Sequence, residues 1–108
     1  MKNIVELLQE KQLLFKSFKE IKPKALSSRK KIDLFVAVDT KGYYASIFYI
    51  EKKSRILSKE IDEYFLLHEK LEKHIDSRIK KKYVLIDASL CSKAKAKLEK
   101  ASWKVWEL

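Results

Sequence analysis

Asp33, Glu51 and Lys53 are the residues whose types and spacing could do chemistry in this chain. They flank a segment, residues 31–55, that reads as two β-strands joined by a short turn. Asp33 opens the first strand, and Glu51-Lys52-Lys53 closes the second. Two carboxylates and an ammonium at one rim of a hairpin form a metal-dependent phosphodiesterase arrangement. The acids would hold a hard cation, and the lysine would sit beside the charge that develops on phosphate.

Hairpin geometry selects among the aspartates. The tightest turn signal is Asp39-Thr40-Lys41-Gly42, with Gly42 free to adopt positive φ. Placing Asp33 directly opposite Glu51 centres the turn on Gly42, so this register is expected. Asp39 would then face Ala45, about 20 Å along the strand from Glu51 at roughly 3.3 Å per residue. Ligands must lie within roughly 2.0–2.6 Å of a cation, so Asp33 is the candidate and Asp39 is not. Glu51 and Lys53, two apart, share one face.

Other elements must hold that hairpin in place. Residues 3–16 read as a helix whose apolar stripe at 3.6 spacing takes in Ile4, Leu7, Leu8, Leu14, Phe15 and Phe18, with Asn3 as cap and Glu6 three positions on. Residues 17–26 are expected to contain a short strand, with Pro23 marking an edge or a break. Ser27-Ser28-Arg29-Lys30-Lys31 reads as a basic loop. In the first hairpin strand Ile32, Leu34, Val36 and Val38 face one way, while Asp33, Phe35 and Ala37 face the other, as in a strand covered on both sides.

A long helix is expected over residues 58–80, capped by Ser58, with acids early and bases late. Its His68 lies near the buried stripe and reads as a packing residue. Tyr83-Val84-Leu85-Ile86 is a buried strand with Asp87 at its end, and residues 90–101 form a second helix, with Cys91 on its apolar face. Trp103-Lys104-Val105-Trp106 is a final strand, its tryptophans expected on one side. The order is α-β-β-β-α-β-α-β.

The chain's 108 residues suit a single domain, 1–108, with one core. No apolar run reaches the ~18–20 residues of a membrane span. Only Cys91 is available as a thiol, which excludes an internal disulfide or a cysteine-rich zinc site, and the expected location is cytoplasmic. A net charge of +10 favours polyanionic partners. The arginines are only Arg29, Arg55 and Arg78, so backbone and shape contacts are expected over base readout.

Lys31-Ile32-Asp33-Leu34-Phe35-Val36-Ala37, a turn, and Phe48-Tyr49-Ile50-Glu51-Lys52-Lys53-Ser54-Arg55 together resemble the PD-(D/E)xK nuclease superfamily. The likeness is to archaeal Holliday junction resolvases and the nuclease-like C-terminal domains of archaeal ATPases. It implies an α/β, restriction-endonuclease-like three-layer domain: a central mixed sheet with helices on both faces. It also implies Mg²⁺, or Mn²⁺, on Asp33 and Glu51, with Lys53 orienting or activating the attacking water. Glu6, or else Glu10, would be a supporting acid. DNA is the expected substrate ahead of RNA, contacted by Arg29, Lys30, Lys31, Lys52 and Arg55, with a homodimer as the expected assembly. A catalytically inactive domain of this fold, binding nucleic acid or protein, is the alternative.

Two departures from the pattern bear on the site. Lys52 occupies a position that is normally apolar, so either its ammonium snorkels out or the register differs. Lys31 stands where an acid or proline is usual. An RNase H-like arrangement, using Asp33 or Asp39 with Asp87, is the rival architecture.

Overall fold

The computed structural model describes residues 15–22, 24 and 32–107. Strand β1 (Phe15–Ile21) is followed by the hairpin β2 (Asp33–Asp39) and β3 (Tyr44–Glu51). Helix α1 (Ser58–Ile75), strand β4 (Lys81–Asp87), helix α2 (Ser92–Lys100) and strand β5 (Trp103–Glu107) complete the chain. The sheet order is β1-β2-β3-β4-β5. β1, β2 and β3 pair antiparallel, whereas β3-β4 and β4-β5 are parallel. Each parallel step needs a crossover, and α1 and α2 supply them.

The two faces of the sheet build two cores. Leu34, Val36, Phe48, Ile50, Val84, Ile86 and Trp103 pack with Ile61, Leu67 and Leu71 of α1 and Ala94 and Leu98 of α2. Phe35, Ala37, Ala45, Ile47, Tyr49, Tyr83 and Leu85 form the other core, with Phe15, Phe18 and Trp106 packed against it. Near-continuous apolar sequence in β2, β3 and β4 is what burial on both faces requires. Each fully buried Val, Leu, Ile or Phe side chain among them contributes about 1.5–3 kcal/mol.

Most of the expected order is present, with physical differences at the ends of elements. Phe15 and Lys16 belong to β1 instead of the first helix, the rest of which lies outside the described residues. α1 ends at Ile75, five residues early, because Asp76 adopts a left-handed conformation (φ 52°). There the Asp76 and Ser77 N–H groups close back onto the carbonyls of Lys73 and Glu72. The helix opens at Leu57, which makes no side-chain cap; Ser58 is already helical. Cys91 is the N-cap of α2, its sulfur accepting from the Ala94 N–H at 3.3 Å. The tryptophans of β5 are on opposite faces, Trp103 in the helix-covered core and Trp106 stacked on Tyr83. Three-residue spacing on a strand demands that result.

The hairpin register also differs, by two positions. Asp33 pairs with Tyr49, and Ala45 faces Ala37, not Asp39. Gly42 has the expected positive φ, at 90°. The loop is set by Asp39, whose N–H donates to the Tyr43 carbonyl at 2.9 Å while its own carbonyl accepts from Gly42 at 3.0 Å. A second anchor follows β3. Lys52 N–H donates to the Asp87 carbonyl at 3.2 Å, and Ile56 bridges Leu90 in parallel. Segment 52–56 is thereby strapped to the exit of β4.

Candidate active site at the acidic end of the sheet

Strand alternation places the candidate acids together. Asp33 and Tyr49 are cross-strand partners and so share a face. Glu51 lies two residues beyond Tyr49 and returns to that face. Asp33 and Glu51 are therefore diagonal neighbours on adjacent strands, with Cα atoms about 7–8 Å apart in such a pair. Glu51 is also the ladder partner of Asp87 across the β3-β4 pair. On β1, Glu20 pairs with Phe35 and so belongs to the same face. Four strands thus bring Glu20, Asp33, Glu51 and Asp87 to one end of one face.

The electrostatics follow from this gathering. The Asp33 carboxyl is held above the usual carboxylate range, first by burial, then by Glu20, with Glu51 adding to the effect. Lys22, ion-paired with Glu20 at 3.1 Å, works in the opposite direction. Tyr49 is pushed up by burial and by the charges of Glu51, Asp87 and Asp33. A divalent cation would relieve such crowding of negative charge. Carboxylate oxygens are the hard donors that Mg²⁺ or Mn²⁺ takes, with water and phosphate completing the shell. The donor chemistry of Asp33 and Glu51 fits such an ion. Among the described residues, no three His, Cys, Asp or Glu side chains are grouped closely enough to make an all-protein cage.

Lys53 follows the end of β3 and is exposed. With Glu51 it lines a cavity of about 550 Å³, walled by Ile32, Ile50, Lys52, Glu60 and Tyr64. Ile32 and Ile50 belong to the helix-covered core. Glu51 and Lys53 thus stand where the end of the sheet meets a hollow beneath α1. Asp33 lies outside that lining.

Lys52 does face the helix layer, because a two-residue shift in register keeps the parity of every side chain. Its ammonium is half-buried and paired with Glu60 of α1 at 2.6 Å, and the Tyr64 hydroxyl donates to the same carboxylate oxygen at 3.4 Å. The charge at this normally apolar position is answered by an acid in the first turn of α1. Lys52 is therefore engaged within the fold, tying the end of β3 to α1. Arg55 is exposed. Glu6, Glu10, Arg29, Lys30 and Lys31 lie outside the described residues.

Asp39 is a structural group. Its Oδ1 accepts from the Lys41 and Tyr43 N–H groups, each at 2.9 Å, and its Oδ2 pairs with Lys81 at 2.9 Å. The Lys81 ammonium, followed by those N–H donors, lowers its carboxyl to about 2. Glu20 and Tyr49 were not anticipated from sequence as members of the site. The alternation of Glu20 with Phe18 on one strand face was the available signal for the first. Tyr49, two residues before Glu51, could have been found by the same parity.

No family model matches the chain, and no curated protein does. Solved structures do. EndoMS in a complex with double-stranded DNA superposes with a TM-score of 0.54 at 17% identity, over 97% of this chain and 42% of that one. EndoMS in its apo form gives 0.56 at 19% identity, over 97% and 44%. A repair endonuclease from Pyrococcus abyssi gives 0.53 at 17% identity, over 100% and 47%. The chain spans less than half the length of each of these proteins. The shared architecture decides against the RNase H-like alternative. The five-stranded mixed sheet with its crossover helices is the restriction-endonuclease-like fold of these nucleases.

Proposed function

We propose that this chain is a nuclease-like domain that hydrolyses DNA phosphodiesters at the acidic end of its sheet. The observation that carries the reading is the common face of Asp33 and Glu51 on adjacent strands, with Lys53 two residues on. It is supported by the fold shared with an endonuclease whose complex contains double-stranded DNA.

In this reading Asp33 and Glu51 hold Mg²⁺ or Mn²⁺. When bound, the ion polarises the phosphate and lowers the pKa of water. Lys53 contributes a positive charge beside the phosphate oxygens and orients the attacking water. Glu20 and Asp87 add negative potential that attracts the cation. The overall charge of +10 draws the nucleic acid to the protein. Arg29, Lys30, Lys31 and Arg55 would meet the phosphate backbone.

A second reading has one observation in its favour. Asp33 lies outside the hollow that Glu51 and Lys53 line. The same fold could bind nucleic acid without cutting it. The two readings separate when purified protein is incubated with linear, branched and mismatched DNA in Mg²⁺ or Mn²⁺. Cleavage that chelation abolishes supports the nuclease. Salt-sensitive binding with no cleavage under either ion supports the inactive domain.

A further inference from the structure

Tyr49 has a place that no role in the proposed chemistry explains. It is 4% exposed and belongs to the core of the face opposite the helices. A buried phenol there would ordinarily be replaced by phenylalanine, because an unmet hydroxyl costs free energy. Its Oη instead donates to Glu51 Oε2 at 3.3 Å. The bond is longer than the 2.7–2.8 Å typical of O–H···O pairs. The backbone nevertheless enforces the pairing, since residues two apart on β3 project side by side on one face.

We propose that Tyr49 is a positioning residue of the candidate site, its buried ring and hydroxyl holding the Glu51 carboxylate on the face that carries Asp33. The inference rests on the nuclease reading of that site. The need for such a group is geometric. Glu51 ends β3 and is itself exposed, so among the described residues the core packing of the strand does not hold its side chain. A glutamate has three rotatable bonds, and fixing it costs rotamer entropy that an ordered ligand must already have met. The Tyr49 ring is fixed between its neighbours, directly opposite Asp33. Its hydroxyl therefore offers a stationary donor to one Glu51 oxygen. Hydrogen-bond partners that orient a ligating carboxylate typically alter metal affinity 10- to 100-fold when removed.

The test uses Tyr49→Phe, which keeps the ring and deletes only the hydroxyl. Mn²⁺ binding is measured by titration calorimetry on the metal-free full chain, alongside thermal melting. The expected result is Mn²⁺ affinity weaker by about tenfold with an essentially unchanged melting temperature. If wild-type protein cleaves DNA, the Mn²⁺ concentration for half-maximal rate rises by a similar factor, and the rate recovers at saturating Mn²⁺. A purely structural tyrosine would move the melting temperature and leave the metal dependence alone. Equal Mn²⁺ affinity in wild type and Tyr49→Phe overturns the positioning role while leaving the nuclease reading standing. No Mn²⁺ binding by wild type overturns both. Should Tyr49→Phe fold poorly, Glu51→Asp serves instead. It retains the charge but draws it back from the hydroxyl, and unchanged affinity there again overturns the role.

Discussion

Asp33 stands directly across the β2-β3 ladder from Tyr49, and that pairing puts Asp33 and Glu51 on one face of the sheet. Glu51 is reached diagonally, one step further along β3. The two side chains thus leave the sheet on one face from adjacent strands. A shift of a single residue in this register would have sent them to opposite faces.

Lys53 is the group whose removal best separates cleavage from folding. It is exposed beyond β3 and contributes to no core, so Lys53→Ala should melt within about 0.5 kcal/mol of wild type. If it stabilises charge during phosphodiester hydrolysis, the cleavage rate falls by about 10²–10³-fold. Single-turnover assays on a DNA substrate check this. A variant that cuts at the wild-type rate assigns Lys53 no part in the reaction.

The Lys52–Glu60 pair tests how a charge is accommodated at the β3–α1 interface. Both side chains are only partly exposed, at 34% and 21%. Exposed pairs couple by about 0–1 kcal/mol, and breaking buried ones costs about 3–5 kcal/mol. A double-mutant cycle of Lys52→Met and Glu60→Ala should give a coupling of roughly 1–3 kcal/mol in denaturant unfolding, between these limits. Coupling near zero would mean that the contact does not hold the strand end to the helix.

Stability should fall in mild acid because of His68. The ring is buried, 5.2 Å from Trp103 and 6.2 Å from Phe48. Burial holds it at about 4; Glu72 works upward and Lys82 downward. The unfolded chain binds the proton near pH 6.5, so the contribution is fully present above that pH. It is lost as pH drops from about 6.5 to about 4, by roughly 3 kcal/mol in total. The pH dependence of unfolding for His68→Phe should be flatter than wild type over this window. Parallel curves would locate the acid sensitivity elsewhere.

Ser46 offers a stabilising substitution. Its Oγ is fully buried in β3 and has no hydrogen-bond partner among the described residues. Ser46→Ala removes an unmet hydroxyl and should raise stability by about 1 kcal/mol. That corresponds to a melting increase of about 4–8 °C for a domain of this size. A lower melting temperature would show that the hydroxyl is satisfied.

Side-chain parity was legible in the sequence, and the positions of chain reversals were not. Alternation in β2 put Asp33 with Phe35 and Ala37, because burial of both faces leaves a two-residue period intact; Lys53 lies past the end of β3, where that period no longer applies. The register slipped by two because Asp39 shapes the turn. Its carboxylate gathers two loop N–H groups and Lys81, a residue distant in sequence whose arrival no local pattern announces. The end of α1 was missed for a related reason. Asp76 performs the left-handed turn that glycine usually marks. Lys52 looked like a defect in an apolar position until α1 placed Glu60 against it, a tertiary pairing invisible to spacing.

The most direct test is Mn²⁺ titration calorimetry on metal-free wild type, Asp33→Ala and Glu51→Ala, with folding verified by circular dichroism. The expected result is one bound ion in wild type and loss of that binding in both folded variants. Wild type that takes up no ion, or variants that bind it as wild type does, would contradict a shared cation between Asp33 and Glu51.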